Sequence, residues 1–259
     1  MKIRMFQVDA FTSRLFGGNP AAVCPLPSWP DDATLQAIAA ENNLAETAFF
    51  VGEGGRYDLR WFTPAVEVDL CGHATLASAF VIFRHLDPSL SAVSFQSKGG
   101  ELRVSREGDW LTMDFPSRPP TRMEANDTLV RALGRAPAEV WASRDCLAVY
   151  GSEEEVLALQ PRMDAVASLD FFGVIVTAPG RASDFVSRFF APRQGVPEDP
   201  VTGSAHCTLV PYWAKRLGKT ELHALQVSAR RGEISCALRG DRVALRGRAV
   251  QFLEGTIQI

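Results

Sequence analysis

Two stretches of this chain repeat each other about half a chain length apart. Residues 60–64 and 71–75 read RWFTP and CGHAT, and residues 188–192 and 198–206 read RFFAP and EDPVTGSAH. The offset between the copies is 128 residues at the arginines and 131 residues at the glycines of the two turns. An offset that drifts so little over such a span indicates a duplicated structural unit. The chain is therefore predicted to fold as two similar lobes of common domain size.

A segment rich in proline and serine at residues 116–120 is the best linker between the two copies. We accordingly predict an N-terminal lobe over residues 1–117 and a C-terminal lobe over residues 118–259. The last strand of the chain is free, in this division, to pack back on the N-terminal lobe.

Composition is that of an ordinary globular protein. Apolar residues make up 46% and charged residues 22% of the 259 positions, and the net charge is −3. These values are typical of soluble domains and argue against a nucleic-acid partner, which a basic patch would indicate. The N-terminus becomes polar too early for a signal peptide, and no apolar run reaches the length needed to span a bilayer. No membrane partner is therefore expected.

The cysteines indicate the redox compartment. Five are present, and none forms a CxxC pair: Cys24, Cys71, Cys146, Cys207 and Cys236. An odd, scattered set favours neither a disulfide framework nor a zinc site, so no metal is expected. A reducing cytoplasm is the predicted location.

Short strands separated by glycine turns dominate both halves, and each half carries one helix that is apolar on most sides. These helices are predicted over residues 74–86 and 204–217, and a smaller amphipathic helix over residues 33–41. Pro211 is expected to kink the second apolar helix or to mark its true start. A helix that is apolar all round must be buried. The predicted fold class is α+β, with two pseudo-symmetric lobes that each wrap a shell of strands around a central buried helix.

Both apolar helices begin at a glycine-containing turn, at Gly72 and at Gly203 followed by Ser204. First-turn amides of a helix have no internal partners and carry partial positive charge, so they can bind a carboxylate without a basic side chain. If the lobes are related by two-fold pseudo-symmetry, both helix starts are expected to face one active site between the lobes. A structural alternative also stands, in which the glycines permit tight turns and Ser204 caps its helix.

Six short motifs carry a resemblance that extends from one end of the chain to the other. They are FQVDAF at 6–11, GGNPA at 17–21, NLAET at 43–47, DLCGHAT at 69–75, EDPVTGSA at 198–205 and EGT at 254–256. In these motifs the chain resembles the phenazine-biosynthesis PhzF-like family, which has the diaminopimelate epimerase-like fold.

This resemblance implies a function and a set of site residues. The family's characterised reaction isomerises trans-2,3-dihydro-3-hydroxyanthranilate by moving a proton between ring carbons, with no cofactor. It implies that Glu46 is the general acid/base and that the residues lining the site are His73, Asp199 and Ser204, with Gly72 and Gly203 as backbone donors. It also implies a small carboxylate-bearing substrate and a homodimer.

The residue chemistry agrees with an isomerase. A single carboxyl group can remove a proton and return it elsewhere if burial raises its pKa. Glu46 stands among apolar residues before a strand, and the second half offers FFG at 171–173 and no acid near that position. His73 is interpreted as a proton relay or a carboxylate partner. Asp199 is interpreted as a catalytic-site residue that holds a substrate amino group or positions His73, although an Asx turn before Pro200 also explains it.

Two other functions stay open at this point. Amino-acid epimerases of this fold place one cysteine at each helix-entry turn, and Cys71 occupies the first such position. The second position holds Asp199 or a neighbour rather than a cysteine, which weakens the epimerase hypothesis. The other alternative is a non-catalytic protein that binds a small acid on a retired enzyme scaffold.

Overall fold

A computed structural model describes residues 2–259, which form two compact units. Of the described residues, the first unit comprises 2–115 and 246–259, and the second comprises 116–245. The elements from the N-terminus to the middle of the chain are β1 Lys2–Ala10, β2 Asn19–Pro25, α1 Asp32–Asn42, β3 Glu46–Glu53, β4 Arg56–Phe62, β5 Glu67–Val68, α2 Gly72–Val81, a π-helical turn Ile82–Leu86, β6 Ala92–Ser97, β7 Gly100–Glu107 and β8 Trp110–Pro116.

The remaining elements are β9 Thr121–Met123, α3 Asp127–Leu133, β10 Glu139–Ala142, β11 Cys146–Val149, α4 Glu153–Ala158, α5 Met163–Ala167, β12 Val174–Pro179, β13 Phe185–Ala191, a 3₁₀ turn Pro192–Gln194, β14 Val196–Asp199, α6 Gly203–Leu217, β15 Glu221–Gln226, β16 Gly232–Arg239, β17 Arg242–Gly247 and β18 Ala249–Gln258. No helix among residues 2–259 is both long and apolar enough to cross a membrane.

The same order of strand pairings occurs within each unit. In the first unit β2 pairs parallel with β3, β3 antiparallel with β4, β4 parallel with β6, and β6 antiparallel with β7. In the second unit the same sequence of pairings joins β11, β12, β13, β15 and β16. The repeated motifs in the sequence thus correspond to a repeated strand topology. The last strand, β18, pairs antiparallel with β1.

An arginine–glutamate pair holds the equivalent strand of each unit. Arg60 donates two hydrogen bonds to the Glu67 carboxylate, at 2.7 and 2.9 Å, and its guanidinium also covers the Phe62 ring. Arg188 donates the equivalent pair to Glu198, at 2.8 and 2.9 Å. Two-point arginine–carboxylate contacts fix geometry as well as charge, so they align each strand with the short strand that precedes the long helix.

The first-unit helix α2 is buried on almost every side, as the apolar pattern predicts. All its residues except Phe80 are buried, and it packs against β1, β2 and β3. The α-helical geometry ends at Val81, five residues before the predicted end, and the chain continues as the π-helical turn.

The second-unit helix α6 begins at Gly203 and continues through Pro211. Proline lacks an N–H, so its place in a helix leaves the carbonyl four residues earlier without a helical donor. That carbonyl, on Cys207, accepts a hydrogen bond of 2.8 Å from the Arg118 N–H instead. Pro211 therefore lies inside the helix and does not mark its start. The helix tolerates the proline because the freed Cys207 carbonyl has another hydrogen-bond donor. The predicted α+β class, with strands packed around one buried helix in each half, is confirmed.

Candidate active site

Glu46 is placed by the junction between α1 and β3. The C-cap of α1 is Asn43, which has a left-handed conformation (φ 48°) and donates its N–H to the Ala39 carbonyl. Asparagine is one of the few residues that tolerate this conformation at a helix end. Asn42 Nδ2 then donates to Thr47 Oγ1 at 3.1 Å and ties the helix end to the strand. Glu46, the first residue of β3, is consequently fixed at a defined position with its side chain 15% exposed.

Cys71 and His73 are placed by the start of α2. Cys71 is the N-cap and has extended backbone geometry (φ −141°, ψ 108°). Its carbonyl accepts the Thr75 N–H and also the Thr75 hydroxyl, the latter at 2.6 Å. His73, the second residue of the helix, is 4% exposed. Both side chains are therefore buried at the helix start, where first-turn amides have no helical acceptor.

Glu46, Cys71 and His73 meet although they come from two separate parts of the chain. His73 Nε2 lies 3.1 Å from Glu46 Oε2, and His73 Nδ1 lies 3.5 Å from Cys71 Sγ. Asn19, which is fully buried, places its amide Nδ2 3.1 Å from Nδ1. An amide nitrogen can only donate, so in neutral His73 the Nδ1 atom accepts and the Nε2 proton is directed toward Glu46.

Burial and charge act on this cluster in opposite directions. Burial opposes protonation of His73, but the neighbouring Cys71 sulfur and Glu46 carboxylate outweigh it and hold the pKa of the imidazole well above its ordinary value. Burial raises the pKa of the Cys71 thiol to about 11, and the Glu46 charge adds to this rise. Burial thus keeps the sulfur a thiol at neutral pH, and the cluster favours the protonated form of His73.

This arrangement can store and transfer a proton. The imidazole is within contact distance of the carboxylate, so a proton can pass between Nε2 of His73 and Glu46. The ligand-type atoms of Glu46, Cys71 and His73 also lie within 4.8 Å of one another, so the cluster is the set of residues in this unit that could hold a metal ion.

The second unit brings Asp199, Gly203 and Ser204 to the start of α6. Thr202 is the N-cap, the position that Cys71 holds in α2. Its hydroxyl donates to Asp199 Oδ2 at 2.5 Å. Buried Gln226 accepts the Thr202 N–H at 2.8 Å and donates to the Asp199 carbonyl at 2.7 Å. The turn is thus held by a side-chain amide, and the residue at the second expected cysteine position is a threonine.

Sequence reasoning missed an arginine beside Ser204. Arg144 Nη2 donates to Ser204 Oγ at 3.2 Å, and the guanidinium lies over the Phe172 ring at 4.0 Å from its centroid. Arg144 also approaches the buried Asp145 carboxylate at 3.6 Å. A partly exposed guanidinium therefore lies beside this helix start, in addition to the backbone amides that are expected to bind a carboxylate.

No local signal in the sequence identifies Arg144 as a partner of a helix start, whereas Asn19 stands in the GGNPA motif, where a hydrogen bond near the site is one interpretation. Arg144 is 60 residues before Ser204, and Asn19 is 54 residues before His73. His206 has a structural role in its own helix, because its Nδ1 donates to the Thr202 carbonyl at 2.8 Å. The catalytic and binding roles of Glu46, His73, Gly72, Asp199, Gly203 and Ser204 stay predictions.

Comparison with known proteins gives consistent similarities. A family profile described as "Phenazine biosynthesis-like protein" matches residues 8–255. An uncharacterized isomerase of Pseudomonas aeruginosa is 54% identical over 259 residues, and the alignment covers 100% of both chains. A crystal structure of a phenazine biosynthesis protein of the PhzF family from Enterococcus faecalis is 45% identical with a TM-score of 0.97, again over 100% of both chains. A structure described as a predicted epimerase from Pseudomonas aeruginosa shares the fold, with a TM-score of 0.76 at 20% identity over 99% of both chains.

Proposed function

Since the chain belongs to the family of phenazine biosynthesis-like proteins, we propose that it is a cofactor-independent isomerase. The proposed reaction moves a proton between carbons of a small carboxylate-bearing acid that is amino-substituted and cyclic or unsaturated. Trans-2,3-dihydro-3-hydroxyanthranilate is the leading candidate substrate. The observation that carries the proposal is the contact of 3.1 Å between the Glu46 carboxylate and the buried His73 imidazole.

Glu46 is the proposed acid/base. It removes a proton from one carbon, holds it as the carboxylic acid, and returns it to a second carbon, so no proton is consumed overall. His73 stabilises the carboxylate before the proton is taken up, and Asn19 fixes the ring by its contact with Nδ1. Positioned acid/base groups contribute about 10²–10⁴-fold to such rates.

Backbone amides and Ser204 are the proposed binders of the substrate carboxylate and of the charge that develops in the reaction. Gly72 and Gly203 are the first residues of α2 and α6, where helix geometry leaves N–H groups available to anions. Arg144, in hydrogen-bond contact with Ser204, adds positive charge at the second start. Asp199 is the proposed ligand of a substrate amino group.

The observations favour this isomerase over a two-thiol epimerase. Two-thiol epimerisation needs an acidic thiol at each helix entry, but α6 has Thr202 at its N-cap. The buried Cys71 thiol also has a pKa raised to about 11, which opposes thiolate formation at neutral pH. The third hypothesis, a non-catalytic acid-binding protein, predicts tight binding of the same acids without any exchange of substrate protons with solvent.

The proposal is tested by incubating the protein with trans-2,3-dihydro-3-hydroxyanthranilate and a panel of cyclic amino acids in deuterated water. Isomerisation is followed by absorbance and deuterium incorporation by mass spectrometry. Glu46→Gln is expected to lower turnover by at least about 10²-fold while substrate binding is retained. Near-normal rates in this variant would sink the assignment.

Two further variants make the test specific. Glu53→Gln changes an exposed carboxylate on the same strand and is expected to leave turnover unchanged. Cys71→Ser is expected to cost little in an isomerase, whereas an epimerase that depends on the thiol would lose its activity. Assembly as a homodimer and a cytoplasmic location remain predictions.

A further inference from the structure

The Glu46–Cys71–His73 cluster combines three kinds of metal-binding atom in one buried place. It is the one group of three or more such side chains within ligand reach that residues 2–259 contain. A carboxylate oxygen, a thiol sulfur and an imidazole nitrogen together form a donor set that suits Zn²⁺. Cysteine spacing alone predicted no zinc site, because these donors come from strand β3 and from the N-cap and first turn of α2.

The distances are close to those of a zinc tripod. In a tetrahedral Zn²⁺ site, bonds of about 2.0–2.3 Å place neighbouring ligand atoms roughly 3.3–3.6 Å apart. Here Nε2 lies 3.1 Å from Glu46 Oε2 and 4.0 Å from Cys71 Sγ. All three atoms lie within 4.8 Å of one another, so side-chain movement that shortens the longer edges would bring them to three of the four corners of a zinc site.

One ligand atom is short of a hydrogen bond. Glu46 Oε2 is buried and, within residues 2–259, has no hydrogen bond of acceptable geometry, although the imidazole nitrogen is close to it. A buried carboxylate oxygen without an aligned donor is costly, and a cation bound there would remove that cost. Asn19 contacts Nδ1 through its amide, and a flip of that amide would let its oxygen accept the Nδ1 proton of a zinc-bound His73, as second-shell partners of zinc ligands do.

Charge also balances. The Cys71 thiol and Nε2 of protonated His73 each give a proton to solvent as the ion binds, and the resulting thiolate and the Glu46 carboxylate together neutralise the two positive charges of the ion. Metal binding thereby replaces a buried, partly unpaired cluster with a neutral one.

We infer that Glu46, Cys71 and His73 form a binding site for a thiophilic divalent cation such as Zn²⁺, with its fourth position open to water or substrate. A consequence for regulation follows, and it rests on the proposed function. An ion held by Glu46 occupies the carboxylate that must take up the substrate proton, so zinc binding and isomerisation exclude each other.

Cobalt(II) substitution on the full-length protein tests the site without any activity assay. One equivalent of Co²⁺ is expected to give the intense visible bands of tetrahedral cobalt and a thiolate-to-metal charge-transfer band in the near ultraviolet. Zn²⁺ is expected to displace the cobalt stoichiometrically. Cys71→Ser should abolish the charge-transfer band and weaken Zn²⁺ binding by at least about 10-fold.

Cys207→Ser is the matched control, because it removes a buried thiol from the first turns of α6, outside the cluster. It is expected to leave the cobalt spectrum unchanged, and circular dichroism of both variants confirms that they are folded. Weak octahedral cobalt bands in the parent protein, or equal loss of the charge-transfer band in the two variants, would overturn the inference.

An activity experiment separates this inference from the proposed function. Zn²⁺ is expected to suppress deuterium incorporation into trans-2,3-dihydro-3-hydroxyanthranilate, and a chelator to restore it. Cobalt binding without any exchange activity in metal-free protein would support the site and contradict the proposed function. Exchange activity that one equivalent of Zn²⁺ leaves unchanged would overturn the regulatory consequence alone.

Discussion

The starts of α2 and α6 have the same backbone geometry, but the side chains around them differ. Each begins with a glycine after an extended N-cap residue, and in each a side chain four residues on donates to the N-cap carbonyl. In α2 that side chain is Thr75, and in α6 it is His206. Histidine therefore occurs near both starts, but at different positions: His73 contacts an acid, whereas His206 serves only as a helix hydrogen-bond donor.

The environment of each histidine follows from its position in the helix turn. The Glu46 carboxylate and the Cys71 sulfur hold the pKa of His73 above its ordinary value against the effect of burial. His206 has no such neighbours, and burial lowers its pKa from 6.5 to about 4. The duplication thus supplies two similar helix starts. His73 is the second residue of α2 and His206 is the fourth residue of α6, and this difference in position decides whether the imidazole is favoured in its charged form.

The acid itself is also confined to one copy. Glu46 immediately precedes the residue that pairs with Phe62, and Gly173 immediately precedes the residue that pairs with Phe190. Phe62 and Phe190 are equivalent in the repeat, so Gly173 takes the place of Glu46 in the second unit. A Cβ atom at Gly173 would lie 2.4 Å from Phe189 Cζ. The second unit therefore has no space for an acid at the equivalent position.

The sharpest test of the comparison is the same substitution at both helix starts. His73→Gln removes the imidazole beside Glu46 and is expected to lower turnover by about 10³-fold. His206→Gln keeps a donor for the Thr202 carbonyl and is expected to leave turnover within about 3-fold, because its side chain contacts no proposed site residue. Steady-state rates on the substrate found by the deuterium screen give both numbers. Equal losses in the two variants would mean that the helix starts are not functionally different.

A second test uses the depressed pKa of His206. Below pH 6.5 the unfolded chain takes up a proton that folded His206 refuses until about pH 4. This group's contribution to stability is therefore complete above pH 6.5 and is lost as the pH falls toward 4, by about 3 kcal/mol in total.

His206→Gln is expected to reduce that loss, measured as the free energy of unfolding by urea at pH 7 and at pH 4.5. His223→Gln, which changes a half-exposed histidine of the same unit, is the control and should leave the loss in place. An unchanged pH profile in His206→Gln would contradict the buried neutral state.

A third test concerns the glycine that replaces the acid. Gly173→Ala puts a methyl group against the buried Phe189 ring and is expected to lower the free energy of unfolding by about 1–3 kcal/mol. Gly255→Ala is the control, because the nearest atom to its Cβ is 3.7 Å away, and it should change stability by less than about 0.5 kcal/mol. Denaturant unfolding measures both, and a neutral Gly173→Ala would show that the space exists after all.

The test with the smallest expected effect concerns a feature that the two copies share, the arginine–glutamate pair. Arg60 holds the pKa of Glu67 at about 2, chiefly by hydrogen bonding, so the carboxylate stabilises the folded state at neutral pH. Glu67→Gln and Glu198→Gln are each expected to cost about 1 kcal/mol of unfolding free energy, because each weakens a two-point arginine contact. Thermal unfolding compares them, and a loss confined to one unit would break the structural equivalence of the repeats.

Apolar periodicity and capping residues predicted the longer helices well. Helices α1 and α6 agree with their predicted bounds to within one or two residues, because apolar periodicity and capping residues specify them. Helices α3 and α5 were missed. They are only seven and five residues long, and so short a run carries little periodic signal.

The sequence by itself determined the duplication, the two buried helices, the family and the candidate residues, since each is written in short motifs or in periodicity. Only the tertiary structure decided that His73 contacts Glu46, Cys71 and Asn19, that Arg144 contacts Ser204, and that Phe189 excludes a side chain at Gly173. These contacts join residues separated by up to 60 positions along the chain. Their physical basis is strand pairing and helix packing, which no window of sequence contains.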